Sequence, residues 1–413
     1  MAAWKLRRPT QTMKTNLKRA LGIILSSALT LSLLAGCGGN KPAESAAPAE
    51  SAAAESGAPA ASGAPIKIAV AAPRTGDNAE YGQGFYNAAV MKAEEWNAKG
   101  GVLGGRQVEI VQYDDKNSSE EAASIAQKIV SEGDIAGVIG HFASGVCMTA
   151  APVYQENKII EISPSSSHPD YSGIGDYIFR NNTVINVEAA AGLDIAVNDL
   201  GKKNIGIISI KTDWGTNTAK IVNELVAGMA DTGAKVVAHE EVMEGSDDYS
   251  PAIAKLDAAG ADVVICVSMY STLAPVAKQY KQVNPDIAIV GFSNAYTQQL
   301  LELGGDAVEG VCFPVIFYSG SDDPAVKTYV ETYKEKYGAQ PSALTSQAYD
   351  SVGMLLTAIE SAGTTDSAKV RDELAKIDYP GVTGETTFND IGDVQKSFVK
   401  LTIKDGQFAE ANF

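Results

Sequence analysis

Short apolar, β-branched runs alternate with helix-length stretches along most of this chain, and that rhythm constrains its fold more than any other feature. Residues 66–72, 108–113, 135–140, 159–162, 205–210, 236–242, 263–267 and 287–290 each read as a buried strand. Between most of them lie helical patterns, at 81–98, 118–131, 187–200, 216–229 and 273–283. Strands and helices in alternation specify parallel sheets with helices packed on their faces. About 350 residues carry the pattern, more than one such core usually holds, so two domains are expected. No short internal repeat is present, although the two halves share one rhythm.

The front of the chain reads differently. Lys14, Lys18 and Arg19 run into an apolar stretch over residues 21–34, which ends in Leu34, Ala35, Gly36 and Cys37. Charged, apolar and small-residue regions in that order make a secretory signal, and a cysteine directly after the small pair is what lipoprotein processing uses. The four residues resemble a bacterial lipobox. The apolar run is interrupted by Ser26, Ser27, Thr30 and Ser32 and is shorter than the roughly 20 residues that span a bilayer. Residues 1–36 are therefore expected to be removed and Cys37 lipidated, leaving the protein extracytoplasmic and anchored to the cell membrane by its acyl chains. Met13 is an alternative start. Residues 37–65, almost all Ala, Ser, Pro, Glu and Gly, bury too little apolar surface to order themselves and read as a flexible stalk.

Loss of residues 1–36 takes away six basic side chains and no acidic one, so the formal charge falls from −17 to −23. Such a surface repels phosphate backbones, which argues against nucleic acid as a partner. With Cys37 acylated, Cys147, Cys266 and Cys312 remain, an odd set without the close spacing of a disulfide framework or a zinc site. Cys266 and Cys312 lie in apolar runs, so buried, unreactive thiols are expected, with one pairing in an oxidising compartment left open.

Several segments together resemble the periplasmic binding protein type I family, in particular the branched-chain amino acid (Leu/Ile/Val) receptors of ABC importers. They are Ala72, Pro73, Thr75 and Gly76 with Tyr81 and Gly82; residues 97–105, Asn-Ala-Lys-Gly-Gly-Val-Leu-Gly-Gly; Tyr113, Asp114 and Asp115; and Gly140 and His141 before Ser144. Ile162 to Ser165, residues 304–310 and the pair Tyr349, Asp350 complete the pattern, which runs from about residue 66 to 408. The resemblance implies an α/β fold of two Rossmann-like lobes with parallel sheets flanked by helices, joined by a three-strand hinge. By analogy lobe 1 takes residues 66–185 and 319–396, and lobe 2 takes 186–318 and 397–413. It also implies a monomer without a cofactor that traps a small polar solute between the lobes, an amino acid by family default, and delivers it to ABC permease subunits.

Ligands of open α/β sheets sit beyond the carboxyl ends of strands, and the candidate residues fall there. Ser144 and Gly145 follow a strand and precede a helix, so free backbone N–H groups and a hydroxyl can hold a carboxylate. Ser165, Ser166 and Ser167 follow the next strand and offer hydroxyl and backbone hydrogen bonds. The resemblance gives Ser144, Ser165 and Ser167 the ligand's α-carboxylate and amine, and places rings at Tyr81, Trp214 and Tyr270 around it. A turn, a helix cap or lobe packing is the alternative role for each. Arg74, in the first strand-to-helix loop, could meet an anionic group or an interlobe ion pair.

One departure bears on the ligand. Amino acid receptors of the family commonly carry an acid just after the strand at 287–290, where it pairs with the ligand ammonium, whereas this chain has Gly291, Phe292, Ser293 and Asn294. A buried ammonium without a partner is costly, so Asp213 substitutes, neutral oxygens such as those of Ser293 and Asn294 suffice, or the ligand is an amide, a small carboxylate or another solute. An enzyme is not expected: Gly291, Phe292, Ser293 imitates a nucleophile elbow in part, but Ala295 stands where its last glycine belongs. Neither a phosphate loop nor a dinucleotide fingerprint is present. A sensor of the same fold, signalling to a membrane receptor, is the remaining alternative to transport.

Overall fold

The structure is a computed structural model and describes residues 63–413. The expectations for residues 1–36 and Cys37, and for all but the end of the stalk, lie outside the described residues. Strand and helix alternate from the start: β1 (Ile66–Ala72), α1 (Ala79–Ala98), β2 (Val108–Asp114), α2 (Ser119–Glu132), β3 (Ile135–Gly140), α3 (Ser144–Glu156), β4 (Glu161–Ser163) and β5 (Ile178–Arg180). The pattern continues with α4 (Ile185–Asp194), β6 (Asn204–Ile210), α5 (Asp213–Gly228), β7 (Lys235–Val242), α6 (Ser250–Ala258), β8 (Val263–Val267), α7 (Tyr270–Val283), β9 (Ala288–Val290), α8 (Gln298–Gly304) and β10 (Cys312–Val315). Two helices and a short one follow, α9 (Pro324–Tyr337), α10 (Ala343–Ala362) and α11 (Ser367–Leu374), and then two hairpins, β11 (Asp378–Gly381) with β12 (Gly384–Thr387) and β13 (Val399–Lys404) with β14 (Gln407–Glu410).

The first sheet runs β2-β1-β3-β4-β5 and is parallel throughout. The second runs β14-β13-β10-β9-β8-β6-β7, parallel from β10 to β7 and closed by the antiparallel hairpin at its other margin. Its order β7-β6-β8-β9-β10 repeats that of the first sheet, so the shared rhythm of the sequence is a shared topology. In each half the chain reverses direction across the sheet after its first two strands, which opens a crevice at the carboxyl ends.

Central strands are continuous apolar runs because helices cover both faces: in β8 every residue is buried, and in β1 all but Lys67. The strands at 108–113 and 236–242 are not buried as the sequence suggests. β2 and β7 are edge strands, and Glu109 on one and Lys235, His239 and Glu241 on the other face solvent. The strand expected at 159–162 begins at Glu161, and the helix expected at 187–200 starts at Ile185 and gives way to a π turn over Ile195–Asp199.

Between the two sheets the chain crosses three times, at residues 181–184, 316–323 and 388–398, as irregular segments without a sheet of their own. Buried polar contacts fix them. The Arg180 guanidinium meets Asp393 at 2.6 Å. The Gln347 amide, on the almost wholly buried α10, donates to the carbonyls of Pro164 and Asn181 and to Asn182 Oδ1. Lys396 Nζ donates to Thr383 and Thr386, next to the buried Asp350 carboxylate, which takes the backbone N–H of Val382 and Thr383.

Candidate functional site

A cavity of about 220 Å³ lies where the carboxyl ends of the two sheets face each other. Asn78, Asn117, Ser144 and Ser165 reach it from the loops after β1, β2, β3 and β4, and Thr212, Glu244, Met269 and Ser293 from those after β6, β7, β8 and β9. Drug-sized pockets span about 300–1,000 Å³, so this one suits a smaller solute. The halves touch across it. The Tyr81 hydroxyl donates to the Asn294 carbonyl at 2.9 Å, and the Trp214 indole N–H donates to Ser167 Oγ at 3.2 Å. Gly145, at the start of α3, comes so close to α5 that a Cβ there would stand 2.6 Å from Asp213 Oδ2. These contacts describe a closed cleft.

α3 points its N-terminus at the cavity, and no side chain caps it: Ala143 stands at the cap position. Ser144, Gly145 and Val146 all line the cavity, so their backbone N–H groups and the helix dipole favour an anion there. α5 differs, because Thr212 Oγ1 accepts the Gly215 N–H and closes its own end.

Among the described residues no lysine, arginine or histidine lines the cavity, whereas three acids do: Glu188, Asp213 and Glu244. Glu188 comes from the first turn of α4 and is 3% exposed. Its Oε1 accepts the Ser293 backbone N–H at 2.7 Å, so a carboxylate occupies the neighbourhood of Ser293 although residue 293 is not acidic. Burial raises its pKa, and the hydrogen bonds from Ser293 oppose the rise. Sequence reasoning missed this residue; the signal was a lone acid among Val187, Ala189, Ala190 and Ala191 in an apolar helix.

Of the residues singled out by sequence, Ser144, Gly145, Ser165, Ser167, Trp214, Ser293 and Asn294 line the cavity together, as does Asp213. Tyr81, Ser166 and Tyr270 do not. Tyr81 is 3% exposed and stacks behind Phe142, which does line it. Ser166 is wholly buried, its N–H bound to Ser163 Oγ. The Tyr270 hydroxyl is turned toward the Glu80 carboxylate, which adds to burial in raising its pKa. Ser165 reaches the cavity, but its hydroxyl already donates to the Phe142 carbonyl at 2.7 Å, which makes it a brace for that loop. Arg74 lies exposed, away from the cavity. Besides Glu188, sequence reasoning missed Asn78, Asn117, Asn182, Glu244 and Met269, polar or flexible residues in loops with no periodic pattern. Cys147, Cys266 and Cys312 are all buried and free, and no pair forms.

His141 is wholly buried between Asp115 and Tyr154, and His239 is bonded to Ser209, so neither can serve as a base for a serine in the cavity. Two open α/β sheets closing on a cavity with an anion cradle make a cleft that can hold a small solute. The sequence model described as periplasmic binding protein matches residues 65–406, and the chain belongs to this family. It is a binding protein, not an enzyme. Among its relatives, the leucine-, isoleucine-, valine-, threonine- and alanine-binding protein of Pseudomonas aeruginosa is 29% identical over 333 residues, 80% of this chain and 87% of the relative. A leucine binding protein from Thermotoga maritima has a similar structure, with TM-score 0.77 and 28% identity over 84% of this chain and 98% of its own. A solute binding protein from Rhodopseudomonas palustris, solved with 3,4-dihydroxy benzoic acid, covers 84% of this chain and 96% of its own at TM-score 0.77. At 18% identity it shows the fold alone.

Proposed function

We propose that this chain is the extracytoplasmic receptor of an ABC importer and captures an α-amino acid between its two halves. The observation that carries the reading is the placement of an uncapped helix N-terminus and a buried carboxylate, Glu188, on one closed cavity without a basic side chain. The α-carboxylate binds the N–H groups of Ser144, Gly145 and Val146 and the Ser144 hydroxyl. The ammonium binds Glu188 and Ser167. Glu188 thereby takes the role that an acid at position 293 plays in the resembling family. Branched-chain amino acids, named for the relatives, are the first ligands to test.

Only the closed arrangement supplies both sets of contacts, so ligand shifts an open ensemble toward it, with lobes bounded near residues 185, 318 and 396. The closed receptor, a monomer held to the membrane through lipidated Cys37, then docks on its permease. Thermal unfolding of the ligand-free chain against amino acids tests the reading. A ligand at about a hundred times its dissociation constant adds roughly 2.7 kcal/mol of stability. Absence of any shift across the twenty common amino acids would refute it. Release of a Cys37→Ser variant from the membrane fraction tests the anchor, and unchanged retention would refute that part.

A further inference from the structure

The cavity has a second acidic end. Glu244 follows β7 at the margin of the second sheet, with β6 and β8 between it and β9, whose following residue cluster holds Glu188. At about 4.8 Å per strand, the ends of β7 and β9 lie on the order of 14 Å apart, so Glu244 rises well away from the Ser293 N–H that Glu188 binds. Asp77 and Glu80, at the start of α1, act on Glu244 from the other half, and among the described residues no cation pairs with any of the three. Like charges from both halves therefore meet where the cleft closes, which costs energy unless a cation comes between them.

Two further groups on the cavity wall ask for a ligand. Asn78 lines the cavity at 9% exposure, and its side-chain amide makes no hydrogen bond. Asn294 is equally buried; its Nδ2 is spent on Met269 Sδ, which leaves Oδ1 on the cavity wall without a donor. Unpaired buried acceptors beside unpaired carboxylates call for N–H groups. Phe142, Trp214 and Met269 supply apolar wall along the way, a surface for an alkyl stem with a charged head. No group of three or more acids, histidines and cysteines among the described residues is arranged to hold a metal ion, which favours an organic cation.

We propose that the Glu244 end of the cavity takes a second cationic group, so that the ligand is an α-amino acid carrying an ammonium or guanidinium on its side chain. This rests on the α-amino acid reading above. Its test is calorimetric titration of the ligand-free full chain with L-lysine, L-ornithine, L-arginine, L-leucine, L-norleucine and cadaverine. Norleucine keeps lysine's stem without the ammonium; cadaverine keeps both amines without the carboxylate. At least one of the basic amino acids should bind about tenfold or more tighter than norleucine and leucine, and Glu244→Gln should bring its affinity down to that of norleucine measured on the same variant. Norleucine or leucine binding as tightly as the basic amino acids would overturn the proposal and leave the amino acid reading intact. Cadaverine binding while every amino acid fails would overturn the amino acid reading instead. Silence from all six would overturn the proposal, while the amino acid reading falls only if the twenty common amino acids are silent too.

Discussion

Glu188 is where the cost of a buried charge and the gain from a charged ligand meet. Its carboxyl is buried and desolvation raises its pKa, so the unliganded fold holds a proton there more readily than water does. Stability from this group is present below its unfolded pKa and is lost as pH rises through the raised folded value. In the proposed complex the ligand ammonium opposes that shift by pairing with the carboxylate. Amino acid affinity should therefore fall as pH drops through the raised pKa, at a higher pH than for an ordinary carboxylate. Glu188→Gln should weaken binding about ten- to a hundredfold and abolish that pH dependence, as read by titration calorimetry. An unchanged profile would remove Glu188 from the site. The cysteines give a second residue-scale prediction. Burial holds the Cys147 thiol well above its usual range and pushes Cys266 up to about 12. All three thiols should resist a thiol reagent in the native protein and react at once in denaturant.

At the scale of elements, α3 and α5 meet across the cleft through Gly145 and Asp213. Gly145→Ala puts a methyl group against Asp213 and should lower affinity several-fold by opposing closure, while the melting temperature without ligand stays level or rises slightly, since alanine favours a helix. Adding Asp213→Ala should restore part of the loss. Affinity unaffected by Gly145→Ala would show that closure is looser than this contact implies. The third crossing segment offers a different test. Lys396 has its pKa lowered to about 8 by burial, with Asp350 opposing the shift. Lys396→Met should leave the wholly buried Asp350 without its cation and cost about 3 kcal/mol in denaturant unfolding. Legibility in the sequence divides along the same lines. Central strands such as β1 and β8 show as unbroken apolar runs, because both faces are covered. β2 and β7 carry similar β-branched residues, and only their place in the sheet order makes them edges. β11, β12 and β14 are too short and polar to give a period, whereas β13 alternates Val399, Leu401 and Ile403 with Lys400, Thr402 and Lys404, a strand signal that sequence reasoning leaves unused.

For the molecule as a whole, one topology is built twice and the two copies face each other across a cavity that neither could form alone. The strand-end loops were readable as the site because any ligand of such sheets binds there. Ser144 and Ser167 come out that way, Trp214 comes from the family resemblance, and of the three acids only Asp213 does. Glu188 escaped because its helix reaches the cavity from the far side of a crossing segment, and Glu244 because a charged residue after a strand looks like any solvated turn. The resemblance gives Tyr81 and Tyr270 ligand contact, yet α1 and α7 turn their rings behind Phe142 and toward Glu80, off the cavity wall. The central claim is that both charges of an α-amino acid are held at once, by the α3 N-terminus and by Glu188. Titration of the ligand-free chain with its best amino acid, the matching 2-oxo acid and the matching decarboxylated amine tests this most directly. The account predicts tight binding of the amino acid and a loss of about a hundredfold or more for each analogue. Equal affinity for the oxo acid or for the amine would contradict it.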